Sequence, residues 1–163
     1  MSKYLFGIDL GGTTTKCGLF TENGELEEKW EIPTDTSDKG ANIPTDIAEA
    51  ILSKMAQKGL KNEDVLGLGI GVPGPVLTSG VVVGCPNLGW GKINIVETMS
   101  ALTGLNVAAG NDANVAALGE FWKGGGKGCS SAVFVTLGTG VGGGIILDGK
   151  VVAGSFGCGG EIG

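Results

Sequence analysis

Tyr4-Leu5-Phe6-Gly7-Ile8-Asp9-Leu10-Gly11-Gly12-Thr13-Thr14-Thr15-Lys16-Cys17-Gly18-Leu19-Phe20-Thr21 is an apolar run that ends on a carboxylate, a Gly-Gly-Thr turn, and a second apolar run. The pattern reads as strand, tight turn, strand. Asn23-Gly24 marks a second hairpin turn leading into a strand over residues 26–32, so three antiparallel strands are expected to open the fold. The period then changes. Ile47, Ile51, Leu52 and Met55 share one face of a helix, with Thr45 or Asp46 as its cap and Gly59 as its stop. Val65 to Val72 reads as a buried strand running into Pro73-Gly74-Pro75, and a loop with Cys85-Pro86-Asn87-Leu88 follows. Ile93, Val96 and Met99 predict a second helix, residues 106–109 a strand, and Val115, Leu118 and Trp122 a third helix capped by Asp112. Strands alternating with helices predict an α/β sheet.

Composition limits the chemistry. Glycine makes 33 of 163 residues, without a collagen period, and residues 65–163 hold 26 of them but only 9 charged residues. Such a chain brings main-chain N–H groups close to a ligand. There is no His, which excludes His-based catalysis and His-metal sites within these residues, and every basic residue is Lys. With a net charge of −6 and no guanidinium, a nucleic-acid partner has little electrostatic support, and a small molecule is the expected partner. Cys17, Cys85, Cys129 and Cys158 are too scattered for a zinc motif or a disulfide framework, and read as buried cytosolic thiols. No apolar run suits a membrane span and no secretory signal is visible, so a cytoplasmic location is expected.

Lys123-Gly-Gly-Gly-Lys-Gly128 is the clearest internal break, dividing residues 1–123 from 124–163. Beyond it, Val135-Thr136-Leu137-Gly138-Thr139 sits like Ile8-Asp9-Leu10-Gly11-Gly12, with apolar runs on both sides of the turn. Two independent hairpins and a duplicated nucleotide-clasping unit both explain this. The first turn offers N–H groups, hydroxyls and an ammonium suited to phosphate, and Asp9 could hold Mg²⁺ through water; it is equally an ordinary hairpin turn. Neither glycine-rich segment is a P-loop or a dinucleotide fingerprint, because each returns as a strand rather than opening a helix. Asn111-Asp112 lies at a strand end and helix start, where open α/β sheets build their sites. Asp112 is a helix cap or a general base, and Glu161 a solvated acid or a ligand group.

Together, Asp9-Leu-Gly-Gly-Thr-Thr-Thr-Lys16, Gly71-Val-Pro-Gly-Pro-Val76, Pro86-Asn-Leu-Gly-Trp90, Asn111-Asp-Ala-Asn-Val-Ala-Ala-Leu-Gly-Glu120, Leu137-Gly-Thr-Gly-Val-Gly-Gly-Gly144 and Gly160-Glu-Ile-Gly163 resemble, in order and spacing, the ROK family of bacterial sugar kinases, among them glucokinases. The resemblance implies an actin-like ATPase (ribonuclease H-like) fold: residues 1–123 as the first such domain, 124–163 as the start of a second. It implies phosphorylation of glucose by ATP with Mg²⁺, with Asp112 as the base for the sugar 6-hydroxyl. Gly71, Asn87, Asn111, Asp112 and Glu161 would hold the sugar. Asp9, Gly11, Gly12, Thr13, Thr14, Lys16, Gly138, Thr139 and Gly140 would face the nucleotide, with Asp9 near Mg²⁺.

Family members continue past Gly-Glu-Ile-Gly with a His, a cysteine-rich zinc motif and the rest of a second domain. The resemblance therefore implies an N-terminal portion, of little or no activity alone, whose parent binds a structural zinc elsewhere and forms a homodimer. Two alternatives stand beside glucose. One is a ROK kinase for another hexose, such as N-acetylmannosamine or fructose. The other is a sugar-sensing ROK regulator, which would carry an N-terminal helix-turn-helix, whereas the first strand here is expected by Tyr4.

Overall fold

A computed structural model describes residues 3–137 and 141–163. The opening segment forms β1 (Tyr4–Leu10) and β2 (Thr14–Thr21), paired antiparallel from Tyr4↔Thr21 to Leu10↔Thr15, and β3 (Leu26–Pro33) pairs antiparallel with β2. Two further strands join the other side of β1. β4 (Val65–Val72) runs parallel to β1 and β7 (Val107–Asn111) parallel to β4, giving the order β3-β2-β1-β4-β7. This is the mixed α/β sheet expected, with its three antiparallel strands at one side.

One face of the sheet makes the core. Phe6, Ile8, Leu10, Cys17, Leu19, Leu68, Ile70 and Val72 pack with α1 (Ile43–Lys58) and α2 (Ile95–Thr103). α1 buries Ile43, Ile47, Ala48, Ile51 and Met55, and each such isoleucine adds about 1.5–3 kcal/mol over exposure. Leu52, expected on that face, is 39% exposed instead. The helix also starts earlier than expected: Asn42 precedes it, Pro44 lies in its first turn, and neither Thr45 nor Asp46 is its cap. Gly59, left-handed at φ 66°, closes it as expected.

The other face is paved with small residues. The Phe20 ring lies over Gly18, where a Cβ would come within 2.6 Å of it, and α3 (Asp112–Lys123) crosses above Gly71 and Gly110. Only small residues allow the helix so near. Beyond α3, β8 (Ala132–Leu137), β9 (Val141–Leu147) and β10 (Lys150–Val151) form a second antiparallel sheet in the order β10-β9-β8. β8 and β9 pair from Ala132↔Ile146 to Leu137↔Val141, a hairpin like β1–β2. Its turn residues, Gly138, Thr139 and Gly140, lie outside the described residues. The short strands β5 (Val81–Val82) and β6 (Ile93–Asn94) pair with each other in the loop after β4.

Candidate active site

β1, β4 and β7 run in the same direction, and their carboxyl ends meet on one edge of the sheet. Register sets Asp9 beside Gly71, Gly71 beside Gly110, and Val72 beside Asn111. Ligands of open α/β sheets bind beyond this edge. Three chain turns leave it: Gly11-Gly12-Thr13 after β1, Pro73-Gly74-Pro75 after β4, and the junction of β7 with α3.

The first turn is tight. Gly11 N–H donates to the Thr14 carbonyl at 3.2 Å, and a Cβ on Gly11 would stand 2.6 Å from that oxygen, so a side chain does not fit there. Thr34 N–H donates to the Thr13 carbonyl, and the hydroxyls of the buried Thr15 and the half-buried Thr34 meet at 2.8 Å, fixing the turn against β3. Asp9 and Lys16 face each other across the pair, with Lys16 Nζ 3.6 Å from Asp9 Oδ2 and both side chains more than half exposed. Such a pair is weak, so the carboxylate remains available to another cation. One exposed carboxylate beside a turn of N–H groups fits Mg²⁺, which keeps several waters and takes its other ligands from phosphate.

The loop after β4 carries Asn87. Cys85 Sγ donates to the Pro73 carbonyl at 3.1 Å, Cys85 and Trp90 bridge their main chains, and Trp90 Nε1 donates to the Gly40 carbonyl at 2.9 Å. With Leu88 buried as well, the short turn Pro86–Leu88 is pinned on both sides while Asn87 stays exposed. It sits beside the first turn: a Cβ on Gly12 would be 3.7 Å from the Asn87 carbonyl oxygen. Burial pushes the Cys85 thiol up, against hydrogen bonds from the main chain of Leu88 and Asn87.

Asn111, not Asp112, caps α3. Asn111 Oδ1 accepts from Asn114 N–H at 3.1 Å, and Asn111 Nδ2 donates to the Gly74 carbonyl at 3.4 Å. The amide thereby joins the β4 turn to the helix and keeps one N–H and one lone pair for a ligand. Asp112 becomes the first helical residue, its Cα 3.5 Å from a Cβ placed on Gly71. Its Oδ1 accepts from Ala113 N–H at 2.8 Å, and among the described residues its other oxygen has no partner. One oxygen is held and the other is free, an arrangement suited to a general base.

Glu161 is exposed on the strip after β10, which returns to α3 where Asn114 Nδ2 donates to the Gly159 carbonyl at 3.2 Å. Asp9, Gly11, Gly12, Gly71, Asn87, Asn111 and Asp112 thus gather at one sheet edge, and Glu161 is tethered to the same helix. Thr13 and Thr14 complete the first turn. Gly138, Thr139 and Gly140 lie outside the described residues. Sequence reasoning gave no role to Asn114 or to the Cys85–Trp90 bridge. The signal for Asn114 was a second asparagine three residues after the first, on the side of the helix that buries Ala117. A groove of about 770 Å³ also opens on the glycine-paved face, floored by Gly7, Gly18, Gly69 and Ala108, and reaching Asp9 and Asn111 at one end. Its lining is mostly apolar, so a polyhydroxy ligand suits the strand-end crevice better.

Mixed strand order, a crevice at the parallel strand ends and a second sheet beyond α3 make this an actin-like ATPase fold. The chain belongs to the ROK family, which it matches over residues 5–163. It is 42% identical over 162 residues to a glucokinase of Halalkalibacterium halodurans, covering 99% of this chain and 49% of that protein. A ROK family glucokinase from Streptomyces griseus, solved in complex with glucose and AMPPNP, superposes with a TM-score of 0.80 at 34% identity, over 98% of this chain and 49% of its own. A ROK family transcriptional regulator superposes at 0.83 with 26% identity, over 98% of this chain and 40% of its own. The chain spans about half the length of the curated relatives it matches. Among the described residues, no helix is long and apolar enough to cross a membrane.

Proposed function

We propose that the protein is an ATP-dependent sugar kinase acting on glucose, with residues 1–123 as one actin-like domain and 124–163 opening the second. The observation that carries this is Asp112, set at the β7–α3 junction over Gly71 with one carboxylate oxygen anchored and the other without a partner among the described residues. In this reading the free oxygen takes the proton of the sugar 6-hydroxyl as that oxygen attacks the terminal phosphorus of ATP and the bond to ADP breaks. Asn87, Asn111 and Glu161 hold ring hydroxyls, while Gly71 leaves room for the sugar beside Asp112. The N–H groups of the Gly11-Gly12-Thr13 turn, with Thr14 and Lys16 beside them, face the phosphates, and Gly138, Thr139 and Gly140 face them from the second hairpin. Mg²⁺ near Asp9 neutralises the charge of the phosphates when bound. Phosphoryl transfer depends on positioning and charge stabilisation, which main-chain N–H groups and a cation supply without an arginine.

The 42% identity to a glucokinase and the glucose-bound neighbour support glucose among hexoses. The same fold also serves a regulator, so catalysis has to be argued from the site. Coupled ADP-release kinetics with a hexose panel, run on the full-length parent, test the reading, and glucose is expected to give the highest kcat/KM. Asp112→Asn keeps the helix start and is expected to lower kcat by about 10²–10⁴-fold with little change in glucose affinity. An unchanged kcat in that variant would sink the assignment.

A further inference from the structure

We propose that Asn114 is a positioning residue for sugar binding, holding the strip that bears Glu161 against the helix that bears Asp112. This rests on the kinase reading, in which those two carboxylates serve one substrate. Among the described residues the buried polar side chains are Thr15, Thr103, Asn111 and Asn114. Thr103 bonds back to its own helix at the Met99 carbonyl, Thr15 pairs with Thr34, and Asn111 caps α3. Asn114 does something different. It sits inside a helix, where asparagine is a poorer former than alanine, and reaches across the molecule to the Gly159 carbonyl.

Among the described residues, the main-chain N–H groups of the strip donate only within their own loop. Gly159 N–H donates back to the Ala153 carbonyl at 2.7 Å and Glu161 N–H to the Cys158 carbonyl at 3.3 Å, both within the same loop. Gly160, left-handed at φ 91°, lies so close to β9 that a Cβ there would stand 2.7 Å from the Gly143 carbonyl. That approach sets the height of the strip above β9, and the Asn114 bond sets its place along α3. Asn114 is two residues from Asp112, and Gly159 is two residues from Glu161. Its main-chain N–H is held by Asn111 Oδ1 in turn, so a continuous path runs from the β7 end through Asn114 to Glu161. Asn114 Oδ1 meets no donor among the described residues, so the bond to Gly159 is what the side chain contributes to this arrangement.

The test uses Asn114→Asp in the full-length parent, a change that keeps shape and volume but presents two acceptors to the Gly159 carbonyl. Glu161→Gln serves as the reference. With glucose as the probe, Asn114→Asp is expected to raise KM and the calorimetric Kd for glucose about tenfold, the scale of one lost hydrogen bond, and to leave KM for ATP unchanged. A structural role would instead move both KM values together. Hydrogen exchange of residues 157–163 in the unliganded protein, expected to quicken in Asn114→Asp and in the smaller Asn114→Ala, gives a readout that needs no activity. If Glu161→Gln weakens glucose binding while Asn114→Asp does not, the positioning role is overturned and the kinase reading stands. If Glu161→Gln also leaves glucose binding untouched, the role given to Glu161 fails and this proposal fails with it. Unchanged exchange in both Asn114 variants overturns it independently of any substrate.

Discussion

β1–β2 and β8–β9 are both apolar hairpins around a glycine-rich turn, yet they differ sharply in what covers them. Phe6, Ile8 and Leu10 of β1 are each less than 5% exposed, whereas Val133, Val135 and Leu137 of β8 are 66%, 55% and 81% exposed. Alternation is similar in the two; the partner layers are not. β1 lies mid-sheet under α1 and α2, while β8 is the edge of a three-stranded sheet of which β9 packs on α3 through Gly144 and the buried Ile146. An apolar strand becomes core only where another element is there to close over it.

The largest expected effect breaks the comparison if it fails. Ile70→Ala, in the covered sheet, should lower unfolding stability by about 2–5 kcal/mol, while Val135→Ala should stay within about 0.5 kcal/mol. Urea midpoints of the two variants at unchanged slope measure the difference. Equal losses would mean that the β8 face is covered in the protein by something other than the elements described. Gly144→Ala probes the join between the two regions. A Cβ at Gly144 would stand 2.4 Å from that of Ala117 and 3.0 Å from the Ala113 carbonyl, so α3 or β9 has to shift, at about 1–3 kcal/mol. Gly125 has nothing within 4 Å of a Cβ, and Gly125→Ala is the neutral control for the same urea measurement.

These two regions also mark how far the sequence could be read. The opening hairpins, β4 and α1 were legible because alternation, Asn23-Gly24 and Gly59 are local signals that the packing agrees with. The burial of α3 was not. Val115, Leu118 and Trp122 trace a helical stripe, yet each is more than 40% exposed, and Asn114 and Ala117 are buried instead. The reason lies in what α3 meets. It lies on glycine backbone: Ala113, Asn114 and Ala117 meet Gly144, Val115 covers Gly71 and Gly110 from the edge of the groove, and the larger Leu118 and Trp122 stand to the side, along the groove and over Gly24. The cap fell one residue early for a similar cause. Asn111 and Asp112 can both cap a helix, and the choice is made by β7, whose pairing of Asn111 with Val72 keeps that residue extended. For the site, the strand-end location of Asp9, Gly71 and Asn111 followed from element order, but the tie from Asn114 to Gly159 spans 45 residues and no local pattern encodes it.

The smallest effect concerns how the covered sheet keeps its outer strand. Glu28 of β3 receives Lys54 at 2.5 Å and Lys58 at 2.7 Å from α1, and Lys54 also lies 4.8 Å from the centre of the Trp30 ring. Hydrogen bonds from Lys54 and then Lys58 hold the Glu28 carboxyl below its usual 4.5, while donating to Glu28 holds the Lys58 ammonium above its usual 10.5. A depressed carboxylate adds stability above its unfolded value and loses it as pH falls through its folded value; a raised ammonium adds stability below its unfolded value and loses it as pH rises through its folded value. The stability difference between the protein and Glu28→Gln should therefore be flat near neutrality, decline below pH 4.5, and decline again above pH 10.5. Because these groups meet water, the difference should be modest and shrink with added salt. Urea midpoints across pH decide it, and a difference that is constant from acid to alkali would mean that β3 is held to α1 by packing around Trp30 rather than by charge. The second sheet has no such latch, since every ion pair among the described residues lies in residues 9–63.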